Sequence, residues 1–203
     1  MTGIRLATNL ETLFVIAICT VADPAVNSGS RHGCVLGAPP GPAADRSTPD
    51  NLIYSYALAH EQRDMAMYRS LLHESFIYEY GPGYLDTMES PPEMAWFGKA
   101  EAIRLTAEFF SEPCFEGFQL DLLPVTGWIP CEKIPMRSGY SYSGSGALEI
   151  TLDPVIYITL EENCTDRQYL EINHTWFHVT VVPDPAYPGL WVILQIIEDR
   201  EAE

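Results

Sequence analysis

Thr48-Pro-Asp-Asn-Leu-Ile-Tyr-Ser-Tyr-Ala-Leu-Ala-His-Glu-Gln-Arg-Asp-Met-Ala-Met-Tyr-Arg-Ser-Leu-Leu-His-Glu-Ser-Phe-Ile-Tyr-Glu-Tyr80 decides the fold. Thr48 is a good helix N-cap, Pro49 suits the first helical position, and Asp50 faces the positive end of the helix dipole. Leu52, Ile53, Tyr56, Ala59 and His60 then recur at helical spacing through about Gln62. Asp64 can cap a second helix carrying Met67, Tyr68, Leu71 and Leu72 on one face, with His73-Glu-Ser75 closing it. There His73 would meet the negative end of the dipole. Phe76 to Tyr80 is a strand: Phe76, Tyr78 and Tyr80 share one side, and Ile77 and Glu79 face away.

Outward from this stretch, Lys99 to Ser111 reads as a third helix. Every later apolar segment reads as β: Phe118 to Val125, Ala147 to Leu160 with Pro154 as an interruption, Tyr169 to Val182, and Leu190 to Glu198. The Ser138-to-Gly146 stretch is a flexible loop between strands. Helices followed by a run of antiparallel strands predict an α+β fold, a curved antiparallel sheet wrapped on N-terminal helices.

The first 47 residues read as processing and tether. Arg5 precedes the apolar run Leu13 to Ala22, about the length of a signal-peptide core, with Thr20-Val-Ala22 as a cleavage site. Residues 1–22 are therefore a candidate signal peptide, and 23–47, rich in Gly, Pro, Ala and Ser, a disordered linker. Residues 48–203 form the domain, and the chain from Ser47 onward is expected to fold alone. Export is the expected localisation, secreted or membrane-tethered; Cys34 and Cys19 are the acylation candidates, although neither stands in a proper lipobox. Cys114, Cys131 and Cys164 would leave one disulfide and one free thiol in unresolved pairing.

Charge narrows the partners. The 203 residues hold 28 acidic and 11 basic side chains, a net charge of −17. Arg5, Arg31 and Arg46 balance Glu11, Asp23 and Asp45 before Pro49, so the whole excess lies in the domain. Such a surface repels a phosphate backbone, which argues against nucleic-acid binding. No apolar run reaches the ~20 residues of a transmembrane helix.

The chemistry-bearing motifs are sparse. His174 and His178 are four residues apart, but on a strand that separation is ~13 Å, too far for one metal ion. No metal or cofactor is expected. Asp121, Glu149, Asp153 and Glu171 are strand acids, and Asp121 lies opposite the apolar Phe118, Leu120 and Leu122 alternation, as a solvent-facing residue would.

The Thr48–Tyr80 stretch resembles the opening of the nuclear transport factor 2-like superfamily, which includes ketosteroid isomerases and polyketide cyclases and has a cystatin-like cone. Trp96-Phe-Gly-Lys-Ala-Glu-Ala-Ile-Arg104 resembles that group's entry to its third helix, and Trp191-Val-Ile-Leu-Gln-Ile-Ile-Glu-Asp199 its last strand. The resemblance covers residues 48 to 200 and implies a conical pocket. It sets Tyr56 at the position of the isomerases' helical tyrosine and Tyr80 at that of their acidic base, and a phenol is a poor base at neutral pH. The expected pocket is therefore a ligand site without a catalytic base, lined by Tyr56, Tyr78, Tyr80, Trp96, His174 and Gln195. The leading reading is an exported, non-catalytic module for a small apolar ligand or a protein partner, with a homodimer through the open sheet face. The alternative is a small lyase, cyclase or isomerase using a pocket His or acid as base; a buried carboxylate within hydrogen-bond reach of Tyr56 would favour it.

Overall fold

The computed structural model describes residues 44–85, 95–111, 115–131, 146–160, 169–172 and 175–200. Their order is α1 (Pro49–Glu61), α2 (Met65–Leu71), β1 (Leu72–Tyr80), α3 (Pro82–Leu85), β2 (Trp96–Gly98), α4 (Lys99–Phe110), β3 (Phe115–Pro124), β4 (Ile129–Pro130), β5 (Leu148–Leu160), β6 (Tyr169–Ile172), β7 (Thr175–Pro183) and β8 (Trp191–Arg200). One sheet contains all eight strands in the order β2-β1-β8-β7-β5-β3, with β4 and β6 both paired to β5.

Local chemistry starts the helices where the sequence predicts. Asn51 N–H donates to Thr48 Oγ1 at 3.2 Å, and the amides of Ala66 and Met67 donate to Asp64 Oδ1, each at 2.9 Å. Between the two helices Arg63 takes a left-handed φ of 52°, which lets Asp64 N–H reach the Ala59 carbonyl at 2.8 Å.

Three expectations need correction. His73 does not end a helix: α2 stops at Leu71 and the chain is already extended at Leu72, so no helix dipole acts on His73. The segment from Tyr169 to Val182 is two strands. Here β7 pairs with Leu148–Leu152 and β6 with Ile156–Thr159, leaving a gap around Pro154, which has no N–H to donate. The sheet is also not wholly antiparallel, because β1 and β8 run parallel with Tyr78 opposite Ile196 and Tyr80 opposite Glu198.

Sheet curvature closes one face over α1 and α2. The core there combines Leu52, Tyr56 and Ala59 of α1, Tyr68 and Leu71 of α2, Phe76 of β1, and Phe177, Val179, Ile193 and Ile196 of the sheet. A smaller cluster (Ala147, Val182, Val192 and Leu194) packs with half-buried Cys131; Cys114 and Cys164 lie outside the described residues.

The expected linker reaches Ser47, yet its last residues belong to the fold. The Asp45 carbonyl accepts from Ser55 Oγ at 2.9 Å, and the Arg46 carbonyl accepts from Trp191 N–H at 2.9 Å. Arg46 Nη1 donates to Asp184 Oδ2 at 2.8 Å and to the Ser70 carbonyl at 2.9 Å. This strap ties the start of α1 to the β7–β8 connection; residues 1–43 lie outside the described set. Both ion-pair side chains are nearly buried. Removing Arg46 leaves the nearly buried Asp184 side chain with only the Ala186 and Tyr187 amides as partners, a loss of roughly 2 kcal/mol. Arg46→Ala is thus expected to lower the urea midpoint strongly with an unchanged slope, whereas a midpoint like that of the parent chain would show the strap to be inert.

Candidate functional site

Strand register distributes the predicted pocket residues over two faces. Tyr78 and Tyr80 project to the concave side, where Tyr56 arrives from α1, and all three are buried. Glu79 points to the opposite face, as the alternation predicts, but it is 2% exposed and buried there. Gln195, opposite Ile77 in the register, lies on that same face and donates to Glu79 Oε2 at 3.4 Å. Trp96, opposite Glu79, is half-buried there too. His174 lies outside the described residues. His178 is half-buried on the convex side, its Nδ1 3.1 Å from Thr151 Oγ1. Asp121 accepts from Gln119 Nε2 at 3.1 Å, and Glu149 and Asp153 are half-buried. The side chain of Glu171 is outside the described set, and among the described residues no group of three His, Cys, Asp or Glu could hold a metal ion.

The residue absent from the predicted site is Glu198. A bulge explains why. In the β7–β8 ladder Val181 pairs with Ile193 and Thr180 with Gln195, so Leu194 is skipped. Beyond it the inward set is Ile196 and Glu198, while Gln195 and Ile197 turn outward. Glu198 then stands between Tyr80 of β1 and Phe177 of β7, and its carbonyl is held by Gly81 N–H at 2.7 Å.

Glu198 is 5% exposed, and Tyr78 Oη donates to its Oε2 at 2.5 Å. Burial pushes the Glu198 carboxyl up to about 7, against the opposing pull of the Tyr78 hydrogen bond. Burial likewise holds the Tyr78 phenol well above its ordinary value, with the nearby Glu198 carboxyl adding to it. Tyr56 is raised by burial first, then by Tyr68 and Glu198. Phe97 of β2 stacks on Tyr78 with ring centres 4.9 Å apart and planes 10° from parallel, which fixes the phenol's orientation.

His60 is the second buried ionisable group on this side. Its Nδ1 lies 2.9 Å from the Tyr56 carbonyl, and its ring meets Tyr56, Tyr68, Phe110 and Phe118 at centroid distances of 4.5 to 6.1 Å. Burial lowers it to about 4, partly countered by the Tyr56 carbonyl, so the ring is neutral at pH 7. The site therefore pairs a carboxyl poised near neutrality with a phenol donor, inside an aromatic wall that keeps its histidine uncharged.

No protein-family model matches the chain, and no curated protein matches it in sequence. Solved structures do match in three dimensions. A scytalone dehydratase-like protein from Novosphingobium aromaticivorans is 10% identical with a TM-score of 0.50, over 75% of this chain and 81% of that one. A protein assigned as the β subunit of an aromatic-ring-hydroxylating dioxygenase from the same organism is 8% identical with a TM-score of 0.50, over 78% and 90%. A nuclear transport factor 2-like superfamily protein from Salmonella enterica is 12% identical with a TM-score of 0.48, over 75% and 87%. The element order and the likeness to the two structures at a TM-score of 0.50 define the nuclear transport factor 2-like fold.

The two buried groups bias stability in opposite directions. Glu198 has a raised folded-state value, so its contribution is full below pH 4.5 and is lost as pH rises to about 7. His60 has a lowered one, so its contribution is full above pH 6.5 and is lost as pH falls to about 4. Each effect is about 3 kcal/mol and they cancel between pH 4.5 and 6.5. Glu198→Gln should unmask the His60 slope, so that stability climbs from pH 4 to 6.5 by chemical denaturation. A pH profile parallel to that of the parent chain would show that Glu198 does not titrate as its burial requires.

Proposed function

We propose that the chain binds a small, largely apolar molecule within the cone and moves a proton on it, with Glu198 as general base and then acid. This is the chemistry of a small lyase, cyclase or isomerase. The observation that carries it is the buried Tyr78–Glu198 pair at 2.5 Å, with the carboxyl held near neutrality. A base is most effective when its pKa lies near the working pH, because both proton capture and proton return are then accessible. A carboxylate with an ordinary value near 4.5 would be too weak a base; burial makes up the difference.

The roles follow from the chemistry of each group. Ionised Glu198 can take a proton from a carbon acidified by a neighbouring carbonyl, forming an enolate oxygen. The Tyr56 phenol, raised out of the range in which it ionises, remains a donor that can hydrogen-bond such an oxygen, and the single Tyr78 proton, held by Glu198 while that carboxyl is ionised, can turn to the oxygen once Glu198 has taken the substrate's proton. Protonated Glu198 then returns the proton to another atom of the substrate, or to a leaving group. His60, neutral and bonded to the Tyr56 carbonyl, positions the turn of α1 that carries Tyr56.

This reading replaces the expectation of a pocket without a base, since the inward acid is the feature that separates catalysis from plain binding. Export and membrane tethering stay as proposals resting on the Leu13–Ala22 run. Association of two copies through the convex sheet face also stays a proposal, supported by the partly buried Trp176, His178 and Ile197 on that face.

A panel of small cyclic ketones in deuterated water tests the chemistry without a known substrate. Exchange at the carbon beside the carbonyl is expected for at least one ligand that binds, and Glu198→Gln should slow it by about 100-fold or more. Tyr78→Phe should slow it less while leaving ligand affinity in place. Exchange unaffected by Glu198→Gln, or none in any ligand that binds, would overturn the proposal.

A further inference from the structure

At the end of β1 the chain of β8 comes closer than two side chains permit. Gly81 N–H donates to the Glu198 carbonyl at 2.7 Å, and the Gly81 carbonyl accepts from Leu85 N–H at 3.1 Å as the chain turns into α3. Gly81 is buried, and the space that a Cβ would take there is filled by Asp199: its Oδ2 lies 2.6 Å and its Cβ 2.7 Å from that point. Side chains on neighbouring strands ordinarily start ~4.8 Å apart. A rotamer change can move the Asp199 carboxyl group but not its Cβ, which the backbone fixes. Any larger residue at 81 must therefore push β8 away from β1. The crowding is local, since a Cβ at Gly98 or Gly117, on β2 and β3, would meet nothing nearer than 3.6 Å.

Glu198 precedes Asp199 on β8 and turns to the interior, while Asp199 turns the other way. The Tyr78–Glu198 hydrogen bond of 2.5 Å spans the same two strands on the interior side, so its length depends on how near they lie. We propose, as an extension that rests on proton transfer by Glu198, that Gly81 is a positioning residue for that reaction: by leaving room for Asp199 it lets the last β1–β8 rung close and holds the Glu198 carboxyl on the Tyr78 phenol. A methyl group at 81 lies on the side of the sheet away from the buried pair. It would lengthen the Tyr78 bond without admitting water to the core. Glu198 would then keep the burial that raises it and lose the phenol that pulls the other way. Its carboxyl would hold the proton to a higher pH, and fewer molecules would carry the ionised base at pH 7.

Carbon-13 NMR of the Glu198 carboxyl in the full chain, together with deuterium exchange on the cyclic ketone panel, tests the contact. Gly81→Ala should raise the Glu198 midpoint above that of the parent chain, in the same direction as Tyr78→Phe. The pH profile of exchange should move with it, and exchange at pH 7 should slow about tenfold. Added to Tyr78→Phe, Gly81→Ala should change the midpoint little, because the bond it acts through is already gone. Asp199→Gly in the Gly81→Ala background should restore the parent midpoint, whereas Asp199→Ala, which keeps the Cβ, should not. Should Gly81→Ala fail to fold, the same double variant decides: a folded Gly81→Ala/Asp199→Gly chain with the parent midpoint supports the contact, and one that also fails to fold overturns it. A midpoint unmoved by Gly81→Ala, an equal shift with and without the Tyr78 hydroxyl, or full rescue by Asp199→Ala would overturn it too, with the role of Glu198 left standing. Exchange that ignores Glu198→Gln while the midpoints behave as described would instead remove the proton-transfer role, and the role of Gly81 in it, with only the structural contact surviving.

Discussion

The hydrogen bond from Tyr78 to Glu198 crosses the β1–β8 pair, the parallel junction in a sheet whose other described pairings are antiparallel. A carboxyl taken out of water loses the hydration of its charged form, and one phenol replaces only part of it. The group therefore holds its proton to near neutrality. That single constraint links the architecture to the chemistry: the helices must cover this face to bury the core, and in doing so they create the dry surroundings that set the acid's strength. Phe97 on Tyr78 and the aromatic box around His60 belong to the same enclosure. Inside it, ionisable groups remain neutral unless paired.

The bulge at Leu194 is what delivers the carboxyl to that interior. Strict alternation through Gln195 would send Glu198 to the convex face and leave an amide inside. With one residue skipped, Ile193 and Ile196 both remain in the core and Glu198 follows inward. Insertions of this kind re-aim side chains at the cost of a local break in the ladder, and they are common beside functional sites. The polar residues displaced to the other face, Gln195 and Glu79, pair with each other there.

Much of the fold was legible because it rests on local signals. Thr48 and Asp64 cap their helices, the Phe76–Tyr78–Tyr80 alternation sets the register of β1, and α4 opens at Lys99 as predicted and ends one residue before the predicted Ser111. Pro154 was expected to interrupt its strand, but β5 runs unbroken through it, and the proline instead marks where the pairing passes from β7 to β6. Less of the site was legible. Val192 to Ile197 is almost uniformly apolar apart from Gln195, so periodicity could not tell inward from outward, and the bulge that decides the matter leaves no residue-level signature. Arg46 was hidden for another reason: its partners, Ser70 and Asp184, are distant in sequence, so its neighbours in the chain gave only the composition of a linker.

The account stands on the ionisation of one carboxyl, and carbon-13 NMR of the side-chain carboxyl of Glu198, assigned through its loss in Glu198→Gln, measures it directly. A titration midpoint near pH 7 in the folded chain is the result that burial beside Tyr78 predicts. A midpoint at or below the ordinary carboxylate value of about 4.5 would mean that Glu198 is hydrated or fully compensated, and would contradict both its placement inside the cone and its proposed role as the base.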